Sequence, residues 1–274
     1  MMRNFAAVIA ALLLLAGCGG GQTSDPTEPA SPAPTSATET STSAAGNLSG
    51  TVNVFAAASL KATFEQLGDQ LMAANPDLKV EFVFAGSSDL VAQLEAGAPG
   101  DVFASADERN MTKATDAELI EGTPTPFVTN HLTIAVAPGN PLGITSLADL
   151  ANPALKVVVC APQVPCGGAT EKVTELAGVS LSPVSEEPSV SNVLTKVTTG
   201  EADAGMVYRT DAKGAGDEVT AVDFPEADEV TNVYPIGVLA DAQNPEAAQA
   251  FVDLVLSAEG KQVFEEAGFK PAEN

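Results

Sequence analysis

Two serines stand at matching places in this chain. Thr51 to Phe55 reads as a short strand. It is followed at once by Ala56-Ala57-Ala58-Ser59-Leu60, where the apolar spacing of a helix (Leu60, Phe64, Leu67, Leu71) begins. Val80 to Phe84 repeats the arrangement: Ala85-Gly86-Ser87-Ser88 leads into a helix marked by Leu90, Val91 and Leu94. A helix start presents unpaired N–H groups and the positive end of its dipole, and a serine hydroxyl adds a donor without adding charge. Two such turns beyond the carboxyl ends of neighbouring strands make a cradle for an anion out of neutral dipoles. Plain helix capping, which serine favours anyway, is the competing reading.

Nucleophilic catalysis is the remote alternative, in the form of a secreted serine hydrolase. It needs a base beside the nucleophile. The sole histidine, His131, opens an apolar strand, and no Gly-x-Ser-x-Gly turn occurs. A bare metal ion would have only Cys160, Cys166 and His131 as soft ligands, so no metal centre is expected. The spacing of the two cysteines does not fit a Cys-x-x-Cys redox motif. A disulfide closing a small loop is expected, against two free buried thiols. Arg209 reads as a surface or hinge ion pair, and Asp101 and Asp107, flanking a short strand, as turn or cap residues. The acidic runs Ser185 to Pro188 and Glu226 to Glu229 read as solvated loops.

The elements that must position these residues alternate from Thr51 onward between short apolar strands and amphipathic helices, as in an α/β layered fold. Further strands are expected at Val102–Ala104, Leu132–Ala137, Lys156–Cys160, Ala204–Tyr208 and Val233–Leu239. Helices are expected near Ser146–Leu150 and Ala169–Ala177, and where Val190, Val193, Leu194 and Val197 share a face. Asn244 as N-cap with Pro245 at N1, and then Ser257, open two closing helices. The Pro-rich break Gly122 to Pro126 and the late strand near residue 236 suggest two crossings. They would give one lobe of residues 50–130 plus 235–274 and a second of 131–234, although a single sheet would read similarly.

The first eighteen residues form an address rather than fold. Arg3 is followed by the apolar run Phe5–Ala16, too short to span a bilayer, and then Gly17-Cys18. This is the pattern of a lipoprotein signal peptide with Cys18 as the acylated end, which implies an extracytoplasmic protein held to the membrane by its lipid alone. In residues 19–47, 24 of 29 side chains are Gly, Ala, Ser, Thr or Pro and none is Leu, Ile, Val or aromatic, so the segment reads as a disordered tether. As a flexible coil it would span roughly 30 Å. Processing leaves 11 Lys and Arg against 36 Asp and Glu, a net charge of −25. Such a surface argues against nucleic acid and anionic lipid heads as partners. It does not exclude an anionic ligand held by neutral dipoles.

Phe55-Ala-Ala-Ala-Ser-Leu60, Ala85-Gly-Ser-Ser88, Glu95-Ala-Gly-Ala-Pro-Gly-Asp-Val-Phe-Ala-Ser-Ala-Asp107 and Gly205-Met-Val-Tyr208 resemble, in order, the molybdate-binding proteins of ABC importers. The resemblance covers Thr51 to Phe269. It implies a two-lobed periplasmic-binding-protein fold of type II, with a hinge and an oxyanion held in the cleft without a cation or cofactor. It also implies a monomer that delivers its ligand to an ABC permease. Carried over by position, Ser59 and Ser87 would donate hydroxyl and backbone N–H groups. Cys166 in the turn Val164-Pro165-Cys166-Gly167 and Val190 would each donate a backbone N–H, and Tyr208 its hydroxyl. The family often has Ala where Cys166 stands, and a Cys160–Cys166 bond would brace that turn. Molybdate and tungstate are not separable by sequence, and sulfate or phosphate is the rival ligand. Sugars would call for stacking aromatics, yet the chain has no Trp and two Tyr.

Overall fold

The computed structural model describes residues 47–272. The expected signal segment, Cys18 and all of the tether but Asn47 lie outside the described residues. β1 (Gly50–Ala57) passes through a 3-10 turn (Ala58–Leu60) into α1 (Lys61–Ala74). Then come β2 (Leu78–Ala85), α2 (Ser87–Glu95), β3 (Val102–Ala104), α3 (Glu108–Asp116) and β4 (Thr125–Asn130). β5 (Leu132–Val136), β6 (Val157–Cys160), α4 (Pro165–Ala177), β7 (Ser185–Glu187), α5 (Val190–Thr198), β8 (Ala204–Tyr208), α6 (Arg209–Ala215) and β9 (Thr220–Val222) follow. β10 (Asn232–Val238), α7 (Pro245–Leu256), α8 (Ala258–Ala267) and β11 (Lys270–Pro271) close the chain.

Two sheets result. The first has six strands in the order β11-β4-β10-β3-β1-β2, and the second five in the order β7-β6-β8-β5-β9. Helical crossovers make β1 parallel to β2 and β3, and β6 parallel to β7 and β8. The chain leaves the first sheet at Asn130–His131 and re-enters it at Asn232, opposite Asn130 in the antiparallel pairing of β10 with β4. Side-chain alternation on β1 loads both faces of the first sheet. Val52, Val54 and Ala56 face the core under α1, α7 and α8, while Phe55 faces the one under α2 and α3. The second sheet packs Leu132, Ile134, Val158, Met206 and Val207 against α4 and α5.

Several expectations shift for local reasons. α4 begins at Pro165, four residues before the expected Ala169, because Pro at N1 is a favourable start that small Gly167 and Gly168 disguise. Cys166 therefore sits in a first helical turn rather than in a preceding loop. The residues near Ser146–Leu150 form a 3-10 turn, Leu147–Ala151, closed by a reciprocal Ser146–Asp149 capping box. The break at Gly122–Pro126 runs into β4, where Pro126 lies beside a register shift at Tyr234/Pro235 that accommodates the missing N–H. The two acidic runs are not simply solvated loops. Ser185–Glu187 is a strand in which Glu187 is buried and pairs with Lys196 at 2.6 Å, and Pro225–Glu229 is a 3-10 turn with Ala227 wholly enclosed. Asn244 stands at the start of α7 without capping it; its amide donates to Ser49 and Thr51 carbonyls instead. The buried Asp101 accepts the N–H groups of Gln243 and Asn244, and also that of Asn53, so it staples α7 to β1.

Candidate binding site

Neither serine caps its helix. Ser59 lies in the 3-10 turn after β1, and its Oγ is 3.0 Å from the Tyr234 hydroxyl. Ser87, fully enclosed at the first position of α2, accepts the Ala106 N–H at 3.0 Å. Capping therefore explains neither hydroxyl. Ser88 beside it buries an Oγ with no partner among the described residues, a feature with no mark in the sequence beyond the Ser-Ser pair.

The two sheets meet at these turns. A Cβ on Gly86 would lie 2.2 Å from the Pro188 carbonyl and 3.2 Å from Val164, so only glycine lets the start of α2 touch the segments that open α5 and α4. Ala58 packs on the core of the second sheet, and α5 packs on the turn that carries Ser59. Val190 is the first residue of α5, whose Ser189 cap accepts from Asn192, and Cys166 is the second residue of α4. The N–H groups of such first-turn residues have no partner within their own helix. Gly167 is needed as well, since a Cβ there would lie 2.0 Å from the Ala161 carbonyl. The sulfurs of Cys160 and Cys166 are bonded, tying the end of β6 to the first turn of α4.

Tyr208 ends β8 and is 1% exposed. Its hydroxyl accepts from Asn232 Nδ2 at 3.0 Å, and its ring meets that of Tyr234 edge to face at 6.0 Å. Burial pushes both phenols well above their ordinary range, so both stay protonated and uncharged. Loss of hydration also pushes the Asp211 carboxyl up to about 7, against the Tyr208 N–H that it accepts at 3.0 Å. Across the junction, Arg109 of α3 donates to the carbonyls of Pro162 and Gln163 at 3.0 Å each, a strap between the halves that sequence reading missed. A cavity of about 320 Å³ opens beside this strap, lined by Asp107, Arg109, Pro165, Lys172 and Asn232, the last of which also donates to the Tyr208 hydroxyl.

The remaining charged candidates stand apart. Arg209 pairs with Asp223 at 3.1 Å and Asp228 at 2.8 Å. The His131 ring hydrogen-bonds the Ala227 carbonyl. Asp107 caps α3 by accepting from Asn110. Among the described residues no group of three His, Cys, Asp or Glu side chains is placed to hold a metal ion. The structure thus brings Ser59, Ser87, Tyr208 and the openings of α4 and α5 into one junction.

Known proteins point the same way. Residues 52–270 match the bacterial extracellular solute-binding protein family. The molybdate-binding protein ModA of Mycobacterium tuberculosis is 51% identical over 216 residues, covering 79% of this chain and 83% of that protein. ModA of Escherichia coli is 29% identical over 230 residues, covering 80% and 89%. The solved periplasmic molybdate-binding protein of Azotobacter vinelandii has the same fold, with a TM-score of 0.70 at 22% identity over 81% of this chain and 100% of that one.

Proposed function

Because the chain belongs to the bacterial extracellular solute-binding protein family, we propose that it is the extracytoplasmic component of an ABC importer, capturing molybdate or tungstate and delivering it to a membrane permease. The observation that carries this is the junction itself, where uncharged donors from both sheets converge inside a strongly acidic protein. Ser59 and Ser87 would donate from the first lobe, and the Cys166 and Val190 N–H groups and the Tyr208 hydroxyl from the second. Two lobes, residues 50–130 with 232–272 and residues 131–231, would close on the dianion, because each supplies donors that the other lacks. Cys18 would carry the lipid anchor, residues 19–47 the tether, and the Cys160–Cys166 bond would persist in the exported monomer. No catalysis is assigned.

Calorimetric titration of protein truncated before Asn47 with molybdate, tungstate, sulfate and phosphate tests the reading. Molybdate and tungstate should bind alike and far more tightly than the smaller ions, because a cage set to long metal–oxygen bonds holds sulfate loosely. Tightest binding of sulfate or phosphate would change the ligand, and no binding of any would remove the function.

A further inference from the structure

Arg109 reaches from the first half to the second at a place set apart from the hydroxyls. It is the second residue of α3, and the Asp107 carboxylate lies 3.5 Å from its Nε. Asp107 also fixes Asn110, accepting from its backbone N–H and its side-chain amide at 2.8 Å each. From that base a single nitrogen, Arg109 Nη2, donates to the carbonyls of Pro162 and Gln163, both at 3.0 Å. It carries two hydrogens, one for each. Asn110 Nδ2 approaches the Gln163 carbonyl as well, at 3.4 Å. Both carbonyls precede the first turn of α4, and neither accepts a backbone N–H among the described residues. They are therefore free to be gripped by side chains.

The gripped carbonyls lie inside the ring that the Cys160–Cys166 bond closes. The same ring ends in the Cys166 N–H. Because the ring is small, a pull on its carbonyls reaches that N–H instead of being absorbed by a slack loop. The second half also leaves room for the grip. A Cβ on Gly168 would lie 2.9 Å from Arg109 Nη2, and its three nearest neighbours would all be guanidinium atoms. Arg109 thus rests on the opening turn of α4 where glycine makes space for it.

We propose that Arg109 is a positioning residue, a clasp that grips the disulfide-closed loop, holds the Cys166 N–H against the first half and sets how long the bound ion is retained. The proposal rests on the oxyanion-binding reading above. A contact made only while the halves are together stabilises the closed state alone. Its loss speeds release and leaves the encounter nearly untouched.

The test is stopped-flow binding and release of molybdate in 0.15 M NaCl, where a Debye length of about 8 Å screens the surface field. Arg109→Gln should speed release about three- to ten-fold, a modest factor because the arginine side chain is 45% exposed. Association should stay within about two-fold, since related complexes differ mainly in release, and the melting temperature of the ligand-free protein should barely move. Unchanged release would overturn the proposal. So would an association rate that falls as much as release rises, which would make Arg109 a source of field and not a clasp. Gly168→Leu puts bulk under the guanidinium from the other half without altering charge. It should speed release to a similar extent and add little in the Arg109→Gln background; fully additive acceleration would also overturn the clasp. Should Gly168→Leu fail to fold, the rates of Arg109→Gln decide alone. Absence of molybdate binding by the unaltered protein would instead remove the oxyanion reading on which this rests.

Discussion

The two halves that meet at the junction are built from different materials. The half around the first sheet holds nine of the eleven phenylalanines, and Phe64 sits among the rings of Phe82, Phe127, Phe251 and Phe264 at centroid distances of 5.3–6.5 Å. The half around the second sheet has Phe224 alone, a core mostly of Val, Ala and Leu, and two local staples, the Cys160–Cys166 bond and the Glu187–Lys196 pair. The difference bears on the proposed donors. Ser59 and Ser87 are side chains set over a broad aromatic core. Cys166 and Val190 would offer backbone N–H groups, whose aim depends on how two helix openings are held, and the disulfide braces one of them.

If bulk packing holds the first half, Phe64→Ala should give the largest effect. The ring is wholly enclosed, and removing it should cost about 3–5 kcal/mol in denaturant unfolding. A loss below about 1 kcal/mol would mean that the surrounding rings close over the gap and the contrast is overstated.

Each half also holds a carboxylate against backbone N–H groups. Asp101 in the first receives N–H groups from Asn53, Gln243 and Asn244, whereas Asp211 in the second receives one, from Tyr208, and its carboxyl is pushed up to about 7. A carboxyl raised on folding leaves the native state holding a proton that the unfolded chain has given up. Its contribution is fully present below pH about 4 and is lost as pH rises to about 7. Asp211→Asn should flatten that fall, raising stability at pH 8 and leaving it nearly unchanged at pH 4, by at most about 4 kcal/mol. Thermal unfolding at the two pH values reads this directly, and equal shifts at both would place the penalty elsewhere.

Cys160→Ser with Cys166→Ser should cost about 2 kcal/mol of stability by loop-entropy arithmetic. Molybdate affinity measured well below the melting temperature should fall too, because the first turn of α4 loses its brace. Ser87→Ala should cut affinity about ten- to a hundred-fold and also cost about 1–3 kcal/mol of stability, because the buried Ala106 N–H loses its acceptor. A disulfide variant with intact affinity would show that Gly167 packing alone aims the Cys166 N–H.

Much of this was legible in the sequence, and the misses have a common cause. The strands β1, β2, β5, β6 and β8 and helices α1 and α2 carry runs of Val, Phe and Leu whose period declares them. α3 does not, because Glu108–Asp116 buries only Met111, Ala114 and Asn110. At the junction, the serines and Tyr208 could be found because hydroxyls are written in side chains. The side chains beside those hydroxyls could not: Tyr234 meets Ser59 across 175 residues and Asn232 meets Ala106 across 126, and no local pattern joins them. Arg109 escaped notice similarly, since its acceptors are carbonyls 53 and 54 positions away.

In net charge the halves do not differ in sign. Residues 50–130 with 232–272 carry 6 Lys and Arg against 18 Asp and Glu, and residues 131–231 carry 5 against 14, net −12 and −9. A dianion therefore meets repulsion from both sides of the cleft, and neither half steers it in. The Debye length falls from about 30 Å at 0.01 M salt to about 8 Å at 0.15 M, so NaCl added over that range should raise the association rate of molybdate by a few-fold. Dissociation should change little, because the donors lie between buried walls where salt does not screen. Stopped-flow binding at fixed pH separates the two rates. An association rate that falls with salt would reveal a local positive field. Arg109 and Lys172, both lining the cavity beside the junction, would then be its source, and the symmetry of charge between the halves would give way to an attractive rim. Arg109→Gln in that case should abolish the salt dependence, whereas on the present reading it should steepen the rise, by removing one of the few cations near the mouth.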